Sequence, residues 1–161
     1  ANYPQVMDIL LKMKPQEGSK NLGWVTLKKD NGIYLGEADY NIPQGRGFFF
    51  FKKEQQTFIG YFDKGKKGNY GKLFDKNKKL VYEGEYENEV RNGKGVYYYP
   101  EGQRYEGDFV NGLREGNGTF YWEDGTYWEG PFQKNEMNGE GTYCDGIDKW
   151  PVTYKEGELI E

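Results

Sequence analysis

The sequence predicts an all-β chain, an elongated single-layer antiparallel β-meander preceded by one short amphipathic helix. Two observations carry that reading. Glycines and aromatic residues alternate, as in Tyr82, Gly84 and Tyr86 and again in Gly93, Gly95 and Tyr97. In a strand, alternate residues share a face, so each half of this stretch reads as a strand with Gly and aromatics on one side. The polar segment Asn88 to Asn92 between the halves reads as a hairpin turn. The second observation is that the whole pattern recurs.

Tyr105, Gly107, Phe109, Gly116, Gly118 and Phe120 repeat it 23 residues later, and Trp128, Gly130, Phe132, Gly139, Gly141 and Tyr143 after 23 more. Towards the N-terminus, Phe58, Gly60, Phe62 and Gly71 fit at a spacing of 24, with Asn69 in place of a glycine. Tyr34, Gly36, Gly45 and Gly47 fit 24 earlier, with Ala38 in place of an aromatic. A fixed period of this length signals an array of small supersecondary modules. Half-units flank it, Asn21 to Leu27 as a lone second strand and Trp150 to Tyr154 as a decayed first strand. Helical repeats are excluded, because a glycine inside every helix costs about 1 kcal/mol each.

This spacing resembles the MORN repeat, Tyr-x-Gly-x-aromatic followed by Gly-x-Gly-x-aromatic, over about Gly23 to Tyr143. Tyr105 to Phe120 and Trp128 to Tyr143 fit well, whereas the first two units are degenerate. The expected organisation is an N-terminal extension over residues 1–20 and an array over 21–161, with units starting near Tyr34, Phe58, Tyr82, Tyr105 and Trp128. The resemblance implies a scaffold. Repeats of this kind also accompany kinase or methyltransferase domains, for which this sequence has no counterpart.

Composition agrees with a thin sheet. Of 161 residues only 35% are hydrophobic, yet 18% are aromatic and 24 are Gly. Broad rings lying over glycines of neighbouring strands suit that mixture better than a Leu/Ile/Val core. The chain has no histidine, which removes the commonest general base and a common metal ligand. Its one cysteine, Cys144, forms no internal disulfide or thiolate zinc site, so no cofactor is expected. No apolar run approaches the roughly 20 residues that span a bilayer, and no signal peptide is visible. Ala1 fits a start from which an initiator Met was removed. The expectation is a complete, soluble, intracellular and cytoplasmic protein.

Before the array, Val6, Ile9, Leu10 and Met13 recur at helical spacing, so Pro4 to about Lys14 reads as a helix that Pro15 stops. Such a helix is marginal alone and must pack on something. The preferred reading is a cap over the first repeats, where Phe48 to Phe51 are apolar on both strand faces. The alternative is docking in a partner's groove through the same four residues. Further along, Asn92-Gly93, Asn111-Gly112 and Asn138-Gly139 read as hairpin turns. Pro100-Glu101-Gly102 and Glu123-Asp124-Gly125 read as the turns between units.

Charge divides the chain. Residues 52–79 hold nine Lys against three acids, while residues 80–161 hold 18 acids against seven bases. The Gly-x-Gly elements lack the third Gly and the Gly-Lys-Ser/Thr of phosphate loops and read as structural. Glu83, Glu85, Glu106, Asp108 and Glu129 alternate with the aromatics and read as a solvated or partner-facing face rather than glycosidase carboxylates. The acidic C-terminal half opposes nucleic acid.

The remaining candidate is the aromatic face. A single layer cannot bury every ring, and an exposed apolar strip marks an interaction site anchored by Tyr and Trp. Its expected partner-binding residues are Tyr86, Tyr97, Tyr99, Phe109, Phe120, Trp122, Phe132 and Tyr143. The expected function is a non-catalytic scaffold or structural subunit that clamps a protein partner's helix or extended segment, and self-association is compatible with it. The resemblance implies a cytoskeletal or ciliary assembly, with an organellar complex left open. The alternative is a membrane-tethering module whose Lys64, Lys66, Lys67 and Lys72 bind anionic lipid headgroups.

Overall fold

A computed structural model of the chain describes residues 3–19 and 21–160. Among these residues, helix α1 (Tyr3–Lys12) precedes fourteen strands. They are β1 (Gly23–Lys29), β2 (Gly32–Asp39), β3 (Ile42–Phe51), β4 (Gln56–Asp63), β5 (Lys66–Phe74), β6 (Leu80–Glu87) and β7 (Val90–Tyr98). There follow β8 (Arg104–Val110), β9 (Leu113–Tyr121), β10 (Tyr127–Gln133), β11 (Glu136–Met137), β12 (Gly139–Cys144), β13 (Lys149–Lys155) and β14 (Glu158–Leu159). The fold is an all-β antiparallel meander, as the alternating pattern predicts.

Two compact units divide it, Ala1–Val81 with Tyr86–Glu89, and Tyr82–Glu85 with Val90–Glu161. In the first, β1 to β5 pair antiparallel in chain order. In the second, β7 to β10, then β12, β13 and β14, do the same, with β11 paired to β10.

One aromatic per period is wholly enclosed: Tyr34, Phe58, Tyr82, Tyr105 and Trp128 all have 0% exposure. Each ring lies over the glycine of the next strand. A Cβ added to Gly118 would stand 2.3 Å from the Tyr105 ring, so only glycine fits there. The buried hydroxyls of Tyr34, Tyr82 and Tyr105 donate to the carbonyls of Glu37, Glu85 and Asp108, three residues on. Burial, then the charge of Glu37, pushes the Tyr34 hydroxyl well above its ordinary pKa. Trp128 instead donates its Nε1–H to Val152 O at 2.9 Å, in β13. The half-unit expected at Trp150 to Tyr154 is therefore a strand that closes the last ring.

The turns depart from expectation. Two-residue turns with left-handed backbone stand at Tyr40-Asn41, Lys64-Gly65, Asn88-Glu89, Asn111-Gly112, Lys134-Asn135 and Glu156-Gly157. Of the three Asn-Gly pairs expected to turn the chain, only Asn111-Gly112 does so. Gly93 (φ 100) and Gly139 (φ 133) lie inside β7 and β12. The side chains before such glycines tie one hairpin to the next. Asn92 Oδ1 accepts the N–H of Asn111, Asn138 Oδ1 that of Glu156, Gln44 Oε1 that of Lys64 and Glu115 Oε2 that of Lys134. The turns at Pro100-Glu101-Gly102 and Glu123-Asp124-Gly125 form as expected.

Two of the acids also have structural work. Glu85 Oε1 accepts the N–H of Lys94 at 2.5 Å, and Asp108 Oδ2 that of Asn117 at 3.1 Å, where Gly93 and Gly116 take positive φ. Glu37 Oε1 does the same for Arg46 at 2.8 Å. These carboxylates satisfy backbone donors at irregular strand positions.

Helix α1 stops at Lys12, two residues short of the expected end. Val6 and Leu10 are buried against Leu35 and Phe48, with Met7, Met13, Phe50 and Ile59 around them. Ile9 is 47% exposed, so Met7 takes the place expected of Ile9 in the packed stripe. Beyond the last turn, Arg46 Nη1 donates to Met13 O at 3.1 Å and Tyr61 OH to Lys14 O at 2.6 Å, satisfying carbonyls that a helix end leaves open.

Candidate functional site: the aromatic row of the second unit

Ring position along each hairpin decides exposure. The first aromatic of a unit covers glycines, and the second stacks edge-on against the first. Tyr105 and Phe109 meet at 5.2 Å, and Tyr105 and Phe132 at 4.8 Å. Phe109 and Phe132 are 3% exposed as a result, and Tyr86, against Phe58, is 6% exposed. Three of the eight rings expected on an open face are therefore interior. The strip is narrower than the alternation suggests, because the first two aromatic columns bury each other.

The other five remain half-buried and form one continuous series. Centroid separations run 4.9 Å from Tyr97 to Tyr99, 5.9 Å to Phe120, 5.2 Å to Trp122 and 6.0 Å to Tyr143. Trp150, 43% exposed, extends the row at 5.2 Å from Tyr143. A concavity of about 390 Å³ opens beside it, lined by Tyr99, Arg114, Phe120, Trp122 and Met137 among others. Burial raises the pKa of the Tyr99 hydroxyl, with Arg114 opposing the shift.

Cations sit beneath the row at a fixed place in the period. Arg91 lies 4.9 Å from the Tyr97 ring and 5.6 Å from Phe109. Arg114, 23 residues on, lies 5.9 Å from Tyr99, 5.8 Å from Phe120 and 5.6 Å from Phe132. Guanidinium over ring faces is attractive, and each arginine also donates to the next turn, Arg91 to Gly112 O and Arg114 to Asn135 O. Trp150, Arg91, Arg114 and Met137 were absent from the sequence-based site. The 23-residue spacing of Arg91, Arg114 and Met137 was the signal that could have found the last three.

In the first unit, Lys67 occupies the same place in the period, its ammonium 5.1 Å from Phe51, 5.4 Å from Phe58 and 5.5 Å from Tyr86. It is half-buried over aromatic faces, whereas Lys64, Lys66 and Lys72 are exposed. Val6 and Leu10, offered as docking residues, already face this chain's own strands. Among the described residues no helix is long and apolar enough to cross a membrane.

A hairpin of fixed period, glycines under rings and cations under a second tier of rings define an all-β repeat protein that displays a surface. The MORN repeat model matches three consecutive copies of this unit, at residues 82–104, 105–127 and 128–146. No curated protein matches the chain. Such repeats imply a repeat protein that binds protein or membrane.

Proposed function

We propose that the chain is a non-catalytic scaffold, a structural subunit that binds protein partners within a larger intracellular assembly of the cytoskeletal or ciliary kind. The observation that carries this reading is the unbroken row Tyr97, Tyr99, Phe120, Trp122, Tyr143 and Trp150, half-buried or exposed, beside a concavity that Arg114 helps to line. Large rings held rigid by their neighbours lose little entropy when a partner covers them. The segments around Tyr34 and Phe58 are read as two further, diverged copies. Their first aromatics are enclosed like those of the three matched repeats, and the register shift at Gly36/Ala38 and Gly60/Phe62 recurs at Gly107/Phe109.

The test is affinity purification of the tagged chain beside a Tyr99→Ser, Trp122→Ser, Tyr143→Ser variant, both washed at high salt. A stoichiometric set of proteins held by the wild type and released by the variant supports the reading. An unchanged set, or bare protein in both cases, removes it. The lipid reading rests on the exposed Lys64, Lys66 and Lys72, since Lys67 is drawn over rings. Sedimentation with phosphatidylserine vesicles at low salt, with Lys64, Lys66 and Lys72 reversed to Glu, decides it.

A further inference from the structure

Helix α1 lies on the strand face opposite Tyr34 and its glycines, over the cross-strand row Leu35, Phe48 and Ile59. The period carries that row into the second unit as Glu106, Thr119, Glu129 and Thr142, paired strand to strand in the same register. There, among the described residues, the face bears no helix. It is an open trough of about 520 Å³ with Gly118, Gly130 and Gly141 in its floor and Glu106, Glu129 and Glu140 on its sides.

The chemistry of the trough is inverted along with its occupancy. Leu35 and Ile59, which receive Val6 and Leu10 or their neighbours, correspond to Glu106 and Glu129. Arg46, whose guanidinium holds the end of α1 through Met13 O, corresponds to Asn117 and Glu140. Phe48 corresponds to Thr119 and Thr142, so the central ridge becomes small and polar. The second unit as a whole holds 16 acids against seven bases. Arg104 donates to Glu106 Oε1 at 3.0 Å, so Glu129 and Glu140 meet an incoming cation first.

We propose that this trough seats a short helix of a protein partner whose contact face carries Lys or Arg, in the place that α1 fills in the first unit. Two features select that occupant. The same strand geometry in this chain accommodates a helix, and the carboxylates replacing its apolar contacts complement positive charge. The apolar stripe of a helix like α1 is refused here, because it would bury Glu129 and Glu140 unpaired. The site lies on the other face from the aromatic row and stands independently of the function assigned to that row.

The experiment uses the full chain and an Ala-rich synthetic helix of ~16 residues with Lys at i, i+3, i+4 and i+7, followed by fluorescence anisotropy. Glu106→Gln, Glu129→Gln, Glu140→Gln is compared with Glu101→Gln, Glu123→Gln, Glu158→Gln, a triple variant of equal net charge, both checked for an unaltered thermal transition. The trough variant should bind at least about tenfold more weakly and the control within about twofold of wild type. Amide shifts on peptide addition should fall at Thr119, Gly130 and Thr142. Absence of binding to the wild type, equal losses in both variants, or shifts confined to Tyr99 and Trp122 would overturn the proposal.

Discussion

Arg46 donates to the carbonyl oxygen of Met13 at 3.1 Å while its Nε and Nη2 grip both oxygens of Glu37, at 2.9 and 3.2 Å. One guanidinium thus holds the end of the only helix among the described residues to β2 and β3. The Glu37 side chain is 4% exposed and that of Arg46 11%, so neither charge is left to water. Removing Arg46 strands Glu37. Arg46→Ala is expected to cost about 3–5 kcal/mol, measured by urea denaturation, with Arg46→Lys less damaging.

Helix α1 contributes burial of its own. Leu10 is fully enclosed, so Leu10→Ala should cost about 2–5 kcal/mol, whereas Ile9→Ala, at a half-exposed site, should stay within about 0.5 kcal/mol. Paired thermal melts decide between them. Equal effects would mean that α1 does not pack on this face.

Enclosed and half-buried rings should separate in the same way. Phe132→Ala opens a cavity beneath Tyr105 and Trp128 and is expected to cost about 3–5 kcal/mol. Trp122→Ala should cost clearly less despite the larger ring, since one face already meets solvent. Chemical denaturation of the two variants gives the comparison. The reverse order would remove the division between structural and displayed rings.

Gly118→Ala should destabilise by at least about 1–3 kcal/mol through overpacking against Tyr105. Gly125→Ala, where nothing stands within 4 Å but φ is +89, should lose only about 1 kcal/mol. Their difference in denaturation midpoint measures the ring contact itself.

Asp108 provides the pH dependence. Burial pushes its carboxyl up, but the ion pair with Lys94 and the Asn117 amide outweigh burial and hold it below its ordinary value. A carboxylate lowered by folding stabilises fully above its unfolded pKa, and that stabilisation is lost as pH falls through the lower folded value. The wild type should therefore lose more thermal stability than Asp108→Asn on acidification from neutral pH. Parallel losses in melts across that range would show that Asp108 contributes nothing.

How much of this was legible depends on the residue. The Gly-aromatic spacing located the hairpins of the five units, though not the one at Glu156-Gly157, because it records two demands at once, a ring and the bare backbone beneath it. Asn92-Gly93 and Asn138-Gly139 misled, since a glycine inside a strand and a glycine in a turn both answer a need for positive φ. The true turn at Asn88-Glu89 falls inside the polar segment Asn88 to Asn92, whereas the one at Lys134-Asn135 uses no glycine and left no such mark. Period-2 alternation places Phe109 and Trp122 on one face but cannot say that one ring lies beneath others. That depends on contacts between strands, as with Phe109 against Tyr105 and Tyr82. The cations under the rings were in plain view at 23-residue spacing, and only their neighbours in space give them meaning.

The ties from Asn92 to Asn111, Glu115 to Lys134 and Asn138 to Glu156 each reach into the following hairpin and no further. Bonding of that range makes injury local: a lesion in one period loosens the hairpins on either side and leaves more distant ones with all their partners. The same property makes length adjustable. Excising 105–127 removes one whole period and rejoins like to like, so the number of hairpins can change while each surviving one keeps its bonding pattern.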